Sequence, residues 1–427
     1  MSRRVHTEQR GDPRAPDIAN RLQDARSWSR RVRAQIHEFL IYALCHPLPL
    51  LLAETTRRMG AVVRVPGIGY VVNDPAVAKA ILLDDEGFTK SGPGSMGAMI
   101  TQVLGGSALL NMDGAAHRLL RDKLTELFSA AYLARVVDGL LEPMTQELTR
   151  DVEAGRTVDI VRFMHRLSGR MTCHMLGVIP PAGREDETYA EIFQLGARVT
   201  AMLRLTTMRL SVDQVRTARA LTTRLGSYAD ECFEKPEPDG DSIVQRLRQL
   251  GLSRDEVKSV VAIMMVVGTE TVSTALPRIL ALLIDTGQLA MLRANPELLG
   301  AAIDEGLRCV VPSPVMLRSS AKENLVAGFR FRPGRRVMIL TYNLLKHPKH
   351  FPNPRRYDIR RIQDPELKHL WFGAGPHFCV GYALAHRELA AVLQAFVTMP
   401  LDVRITRRRY ARGVLIPAYA SLEVKST

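Results

Sequence analysis

Residues 256–285 narrow the possible folds more than any other stretch. Val260 to Val267 is apolar on every face of a helix, so that helix has to run through an interior. In its middle stands Gly268-Thr269-Glu270-Thr271. Burying a carboxylate and two hydroxyls there is costly unless each has a partner or a role. One reading has the threonines bonding back to the preceding turn and Glu270 capping a neighbour. The other has a polar notch that faces a reaction site. Pro277 cannot donate to the carbonyl four residues earlier, so a second break is expected there.

Helical periodicity dominates the rest of the chain, with amphipathic stretches at 113–136, 139–153, 186–204 and 211–234. Residues 61–74 read as strand, Pro-Gly-Ile-Gly turn, strand. Residues 328–341 repeat the device around Pro333-Gly334, a pair suited to a type II turn. The segment 235–241 (KPEPDGD) is the clearest break in the middle of the chain. The fold class is therefore mainly α with small β-sheets. A length of 427 residues alone suggests two or three domains.

Charge raises a question of partners. Lys and Arg number 58 against 44 Asp and Glu, a formal net charge of +14, which makes nucleic acid a first suspect. Much of the excess is terminal: residues 1–35 hold nine Arg against four acids, and Arg404 to Arg412 holds five Arg with no acid. No helix-turn-helix, zinc or aromatic RNA motif supports nucleic acid. Five scattered cysteines without a C-x-x-C pair argue against a disulfide framework or a structural zinc site, and for a reducing cytoplasm. No signal peptide is visible. Ile36 to Ala53 contains His37, Glu38, His46, Pro47 and Pro49 and makes a poor membrane span. The Arg-rich leader reads as a solvated, partly disordered tail.

Residues 372–381 read Phe-Gly-Ala-Gly-Pro-His-Phe-Cys-Val-Gly, a stiffened glycine-rich loop that presents Cys379 at the start of a helix from Tyr382 to Val397. Free backbone N–H groups at a helix N-terminus stabilise a thiolate. The glycines let a large flat ligand approach the backbone. This decapeptide resembles the haem-binding loop of the cytochrome P-450 family, F-G-x-G-x-H/R-x-C-x-G, with Phe372, Gly373, Gly375, His377, Cys379 and Gly381 filling every fixed position.

That resemblance orders the other landmarks. Glu305 and Arg308 match the E-x-x-R pair, and Arg356 matches the later arginine that completes its structural triad. Gly268 to Thr271 is similar to the G-x-E/D-T of the long central helix. His117 and Arg121, Arg318 after Pro314-Val315, and His377 correspond to residues at the haem propionates, where they would supply buried cations. Cys379 would be the iron ligand, with Phe372 and Gly373 in its loop, and Glu270 with Thr271 the acid–alcohol pair that passes protons. The family departs from this chain at Val267, usually Ala, at Val272, often Thr, and at Gly306 inside the E-x-x-R helix.

The resemblance implies the P-450 fold, with haem b between the central helix and the helix after the Cys379 loop. It implies one catalytic domain over residues 47–427, after a leader and lead-in segment at 1–46. Landmarks of one fold over that span leave no room for a flavin reductase module. The implied activity is that of a monooxygenase placing one atom of O2 into a mid-sized, largely apolar substrate, by hydroxylation or epoxidation. The substrate would be a biosynthetic intermediate of secondary metabolism. Electrons would come from an external ferredoxin and its reductase to a cytoplasmic monomer, through a basic face drawing on Arg121, Lys123, Arg355, Arg387 or His386. Pocket candidates are Met96, Met99, Ile100, Met264, Val267, Met316 and Leu415. A peroxide-driven or isomerising haem-thiolate enzyme and a non-catalytic haem sensor are the alternatives.

Overall fold

The computed structural model describes residues 15–106, 108–202, 210–235 and 242–427. Most of the break expected at 235–241, and the first fourteen residues of the leader, lie outside them. The central helix, Arg254–Thr286, organises the rest. Ser253 opens it with a reciprocal capping box to Glu256, and Gly287 at φ +72° closes it. Helices Ile160–Leu176, Glu185–Ala201, Val212–Ser227 and Leu299–Val310 pack around it. This is how a helix without a polar face becomes stable: Val260, Val261, Ala262 and Met265 are all fully buried. By length and apolarity it could also cross a membrane, yet 67% of its apolar window is buried inside the molecule.

Pro277 does not break the helix, which continues without interruption to Thr286. Its buried neighbours hold the helix together across the missing donor. The polar side chains in the middle bond back, Thr269 to the Met265 carbonyl at 2.7 Å and Thr271 to the Val267 carbonyl at 3.0 Å. Both readings of the notch therefore meet in one place, because Thr271 also faces the cavity described below.

Among the described residues, ten strands lie beside the helices: β1 Val62–Val65, β2 Gly69–Val72, β3 Phe88–Thr89, β4 Val158–Asp159, β5 Met316–Ser320, β6 Asn324–Val326, β7 Phe329–Phe331, β8 Arg336–Ile339, β9 Val403–Tyr410 and β10 Tyr419–Ser426. They form sheets in the orders β1-β2-β8-β5-β3, β4-β10-β9 and β6-β7. The 61–74 hairpin is as expected, Val65 facing Gly69 across the turn. The second hairpin is not. β7 turns back onto β6 through Ala327 and Gly328, both at positive φ, while β8 leaves to lie parallel to β2 and antiparallel to β5. Gly334 at φ +67° donates to the Ser320 carbonyl, so Pro333-Gly334 is a corner between two sheets.

The boundary expected after residue 46 does not separate two bodies. Ala15–Cys45 is one helix, and its Ala34, Ile41 and Tyr42 are buried in the common core. Glu38 pairs with the fully buried Arg278, and the Tyr42 hydroxyl donates to the Val310 carbonyl at 2.5 Å. A carboxylate at that point is what lets Arg278 sit in the central helix.

Candidate active site

Cys379 is the exposed one of five free cysteines. It lies just before the helix Tyr382–Thr398, and its N–H closes the loop on the Phe372 carbonyl at 3.0 Å. Gly375, at φ +67°, presses against the backbone of Leu82, where a Cβ would come within 2.6 Å of the carbonyl oxygen. No other residue fits there, and this contact fixes the height of the loop. Burial pushes the thiol up, against the Gly381 amide, Arg121 and Lys90, which favour the thiolate.

Around the loop gather cations without carboxylate partners. Arg318 is 5% exposed and donates to the Leu317 carbonyl at 2.9 Å, and burial lowers it to about 10. Burial also brings the cavity-lining Lys90 down to about 7, and lowers Arg121. Among the described residues, no ion pair to Arg318, Arg121 or Lys90 is formed. His117 and His377 lie with ring centroids 4.1 Å apart, and each keeps a buried Nδ1 without a partner. Burial and the nearby cations hold them at about 4 and about 3, the direction that a neighbouring carboxylate would oppose. Lys90 was not foreseen, since a lone lysine before Ser91 carries no pattern. Asp113 was missed as well. It accepts the Lys90 and Ser91 amides and faces His377 Nε2 at 3.3 Å; burial opposes its ionisation, but these bonds hold its carboxyl well below the usual range.

A cavity of about 300 Å³ joins this group to the central helix. Glu270, Thr271, Arg318, Phe372, Gly373 and His377 all border it, and most of the remaining wall is apolar. Six of the seven pocket candidates line it: Met96, Met99, Ile100, Val267, Met316 and Leu415. Val267 is 41% exposed for this reason, despite lying mid-helix. Met264 does not; it points from the helix into the surrounding core. Glu270 is 4% exposed and accepts a hydrogen bond from Thr200 at 3.2 Å, and burial raises it to about 7. Thr200 sits in the last turn of its own helix, and nothing in the sequence pairs it with Glu270.

The E-x-x-R pair is bidentate and buried: Arg308 Nε and Nη2 donate to the two Glu305 oxygens at 2.7 and 2.8 Å. The third side chain is Arg361, whose Nε reaches Glu305 at 2.9 Å, and not Arg356. Arg356 turns its guanidinium to Asp358 at 3.3 Å and offers only its carbonyl to Arg308 and Arg361. Four arginines stand between 355 and 361, and which one turns inward depends on the coil's path. The basic face is also thinner than expected. Arg355 pairs with Glu54, Arg387 with Asp138, and His386 turns inward to Asp304.

An accessible thiol, unpartnered cations and two orphaned imidazole nitrogens fit one kind of group, a metal-centred ligand that carries carboxylates. Fold and site together fit a haem-thiolate protein. The family model described as Cytochrome P450 matches residues 288–399. The 6-deoxyerythronolide B hydroxylase of Saccharopolyspora erythraea is 28% identical over 315 residues, covering 71% of this chain and 75% of that one. Putative cytochrome P450 YjiB of Bacillus subtilis is 25% identical over 297 residues, covering 69% and 74%. The crystal structure of P450BioI in complex with acyl carrier protein ligated to hexadec-9Z-enoic acid is similar with a TM-score of 0.75 at 20% identity, covering 89% of this chain and 98% of that one. The matched model segment, the relatives and the fold support the cytochrome P450 family for this chain. It is a monooxygenase with haem b as cofactor and O2 as co-substrate.

Proposed function

We propose that this enzyme hydroxylates or epoxidises a mid-sized, largely apolar biosynthetic intermediate of secondary metabolism. One observation carries the reading: an apolar cavity has Glu270 and Thr271 on one wall and the Cys379 loop's Phe372 and Gly373 on another. The chemistry the haem supplies is two-electron activation of O2, one atom going to a substrate C–H or C=C bond and the other leaving as water. Cys379 would hold the metal, its thiolate steadied by the Gly381 amide. Arg121, Arg318 and Lys90 would balance the carboxylates, and His117 and His377 would add further donors. Thr271 presents its hydroxyl to the cavity, and Glu270, half ionised near neutral pH, passes protons to it. The methionines and Val267 shape an apolar surface that excludes water; hexadec-9Z-enoic acid, the acyl group in the P450BioI complex, is a ligand of the kind such a wall would suit.

Residues 47–427 act as one catalytic domain with the preceding helix built into it, a cytoplasmic monomer that takes electrons from an external ferredoxin and its reductase. Replacing Thr271 by Ala tests the oxygenase reading. Hydrogen peroxide should rise and product per electron pair should fall several-fold, because protons then arrive unguided. Full coupling in the variant would take Thr271 out of the proton path, and turnover with peroxide alone, without an electron donor, would favour a peroxide-driven reaction.

A further inference from the structure

Asp304, His369 and His386 belong to three separate elements, the helix Leu299–Val310, the coil before Leu370 and the helix Tyr382–Thr398, and they converge on one point. Each offers one donor atom, and these atoms lie within 4.8 Å of one another. His369 Nε2 and His386 Nε2 each stand 3.5 Å from Asp304 Oδ1. That exceeds the roughly 2.7–3.2 Å of a good N–H···O bond. Asp304 Oδ1 and His386 Nε2 are buried without a hydrogen-bond partner. Asp304 is 8% exposed, so the oxygen cannot turn to water instead. Two donors bound tetrahedrally at about 2.0–2.1 Å lie about 3.3–3.4 Å apart. The spacing matches that edge better than it matches a hydrogen bond.

We propose that Asp304 Oδ1, His369 Nε2 and His386 Nε2 form a binding site for a borderline divalent cation of the Zn²⁺ type, separate from the haem. Two imidazoles and one carboxylate suit zinc, whereas calcium and magnesium prefer all-oxygen sets. Lys368 Nζ lies 3.3 Å from the other oxygen, Oδ2, and leaves Oδ1 free. The rings are held in place: His369 lies 5.6 Å from Trp371, and His386 lies 4.8 Å from Tyr382 and 5.8 Å from Phe372. His369 takes the left-handed conformation at φ +64°, which a bulky residue adopts at a cost. A cation here would clamp the E-x-x-R helix and the helix after Cys379 onto the coil that leads into the haem loop. Cysteine spacing excludes a cysteine-based zinc site and says nothing about this one, whose ligands are far apart in the chain.

The test uses haem-loaded protein treated with a chelator that leaves the haem in place, then titrated with zinc chloride near neutral pH. One zinc per chain should bind, with imidazole scattering at the zinc absorption edge. The thermal unfolding midpoint should rise with free zinc. His386→Gln and His369→Gln should each weaken zinc binding by about tenfold or more, and the double variant should lose the zinc-dependent shift. Asp304→Asn should behave alike, and if it fails to fold, the two more exposed histidines still decide the matter. Absence of stoichiometric zinc, or equal affinity in the variants, overturns the site. The carbonyl spectrum of the same samples reports the haem ligand separately, so failure of this site leaves the oxygenase reading standing.

Discussion

Glu270 shows how one buried side chain can set a pH dependence. Its carboxyl is shut inside the central helix with a single Thr200 hydroxyl for company, and burial raises it to about 7. The acid form therefore persists up to neutral pH, and the proton it can deliver is lost as the pH climbs through about 7. Product formed per electron pair should fall over that range. Glu270→Gln should lower turnover on the order of 10²-fold and remove the inflection. An unchanged inflection in the variant would assign it to another group. The Glu-Thr pair was legible because polar groups stand out in an apolar helix. Thr200, Lys90 and Arg361 were not, because each reaches the site from an element whose path only packing decides. The two histidines were recognisable by position, but the burial that lowers them was not.

Elements explain residues that look misplaced in the sequence. Gly306 costs about 1 kcal/mol of helix propensity, yet a Cβ there would lie 2.8 Å from two atoms of the Ile279 side chain. Ile279 is fully buried in the central helix and has nowhere to move. The glycine leaves the room that the Ile279 side chain fills between the two helices. Gly306→Ala should therefore destabilise by about 1–3 kcal/mol despite the better propensity, as read from urea unfolding; equal or greater stability would mean the helices part freely. Periodicity marked the stretch 139–153 closely, whereas 113–136 breaks into Gly114–Thr125, Glu126–Phe128 and Ala130–Val136, the last capped by Ser129. Strand partners were harder. The 61–74 hairpin is local and was readable, whereas β8 chooses β2 and β5 over its neighbour β7 because those distant strands complete the larger sheet. Likewise the helix through Pro277 survives because tertiary packing outweighs one missing donor.

The whole molecule carries a net charge of +14, and its use depends on where charges remain free. With Arg355 and Arg387 paired to acids and Arg121 turned to the haem site, Lys123 on the helix Gly114–Thr125 is what remains of the proposed basic face. Electron-transfer rates from a ferredoxin should fall steeply with salt, about tenfold between low and physiological ionic strength. Rates indifferent to salt would return the excess charge to the terminal arginine runs. The cavity borders the loop around Cys379, and the proposed cation site holds the coil that leads into it. The most direct test is accordingly the spectrum of the reduced protein under carbon monoxide, wild type beside Cys379→Ser. The wild type should show the long-wavelength Soret band of thiolate-ligated haem, and the variant should lose it. A wild-type band at the position of histidine-ligated haem, or an unchanged band in Cys379→Ser, would contradict the account.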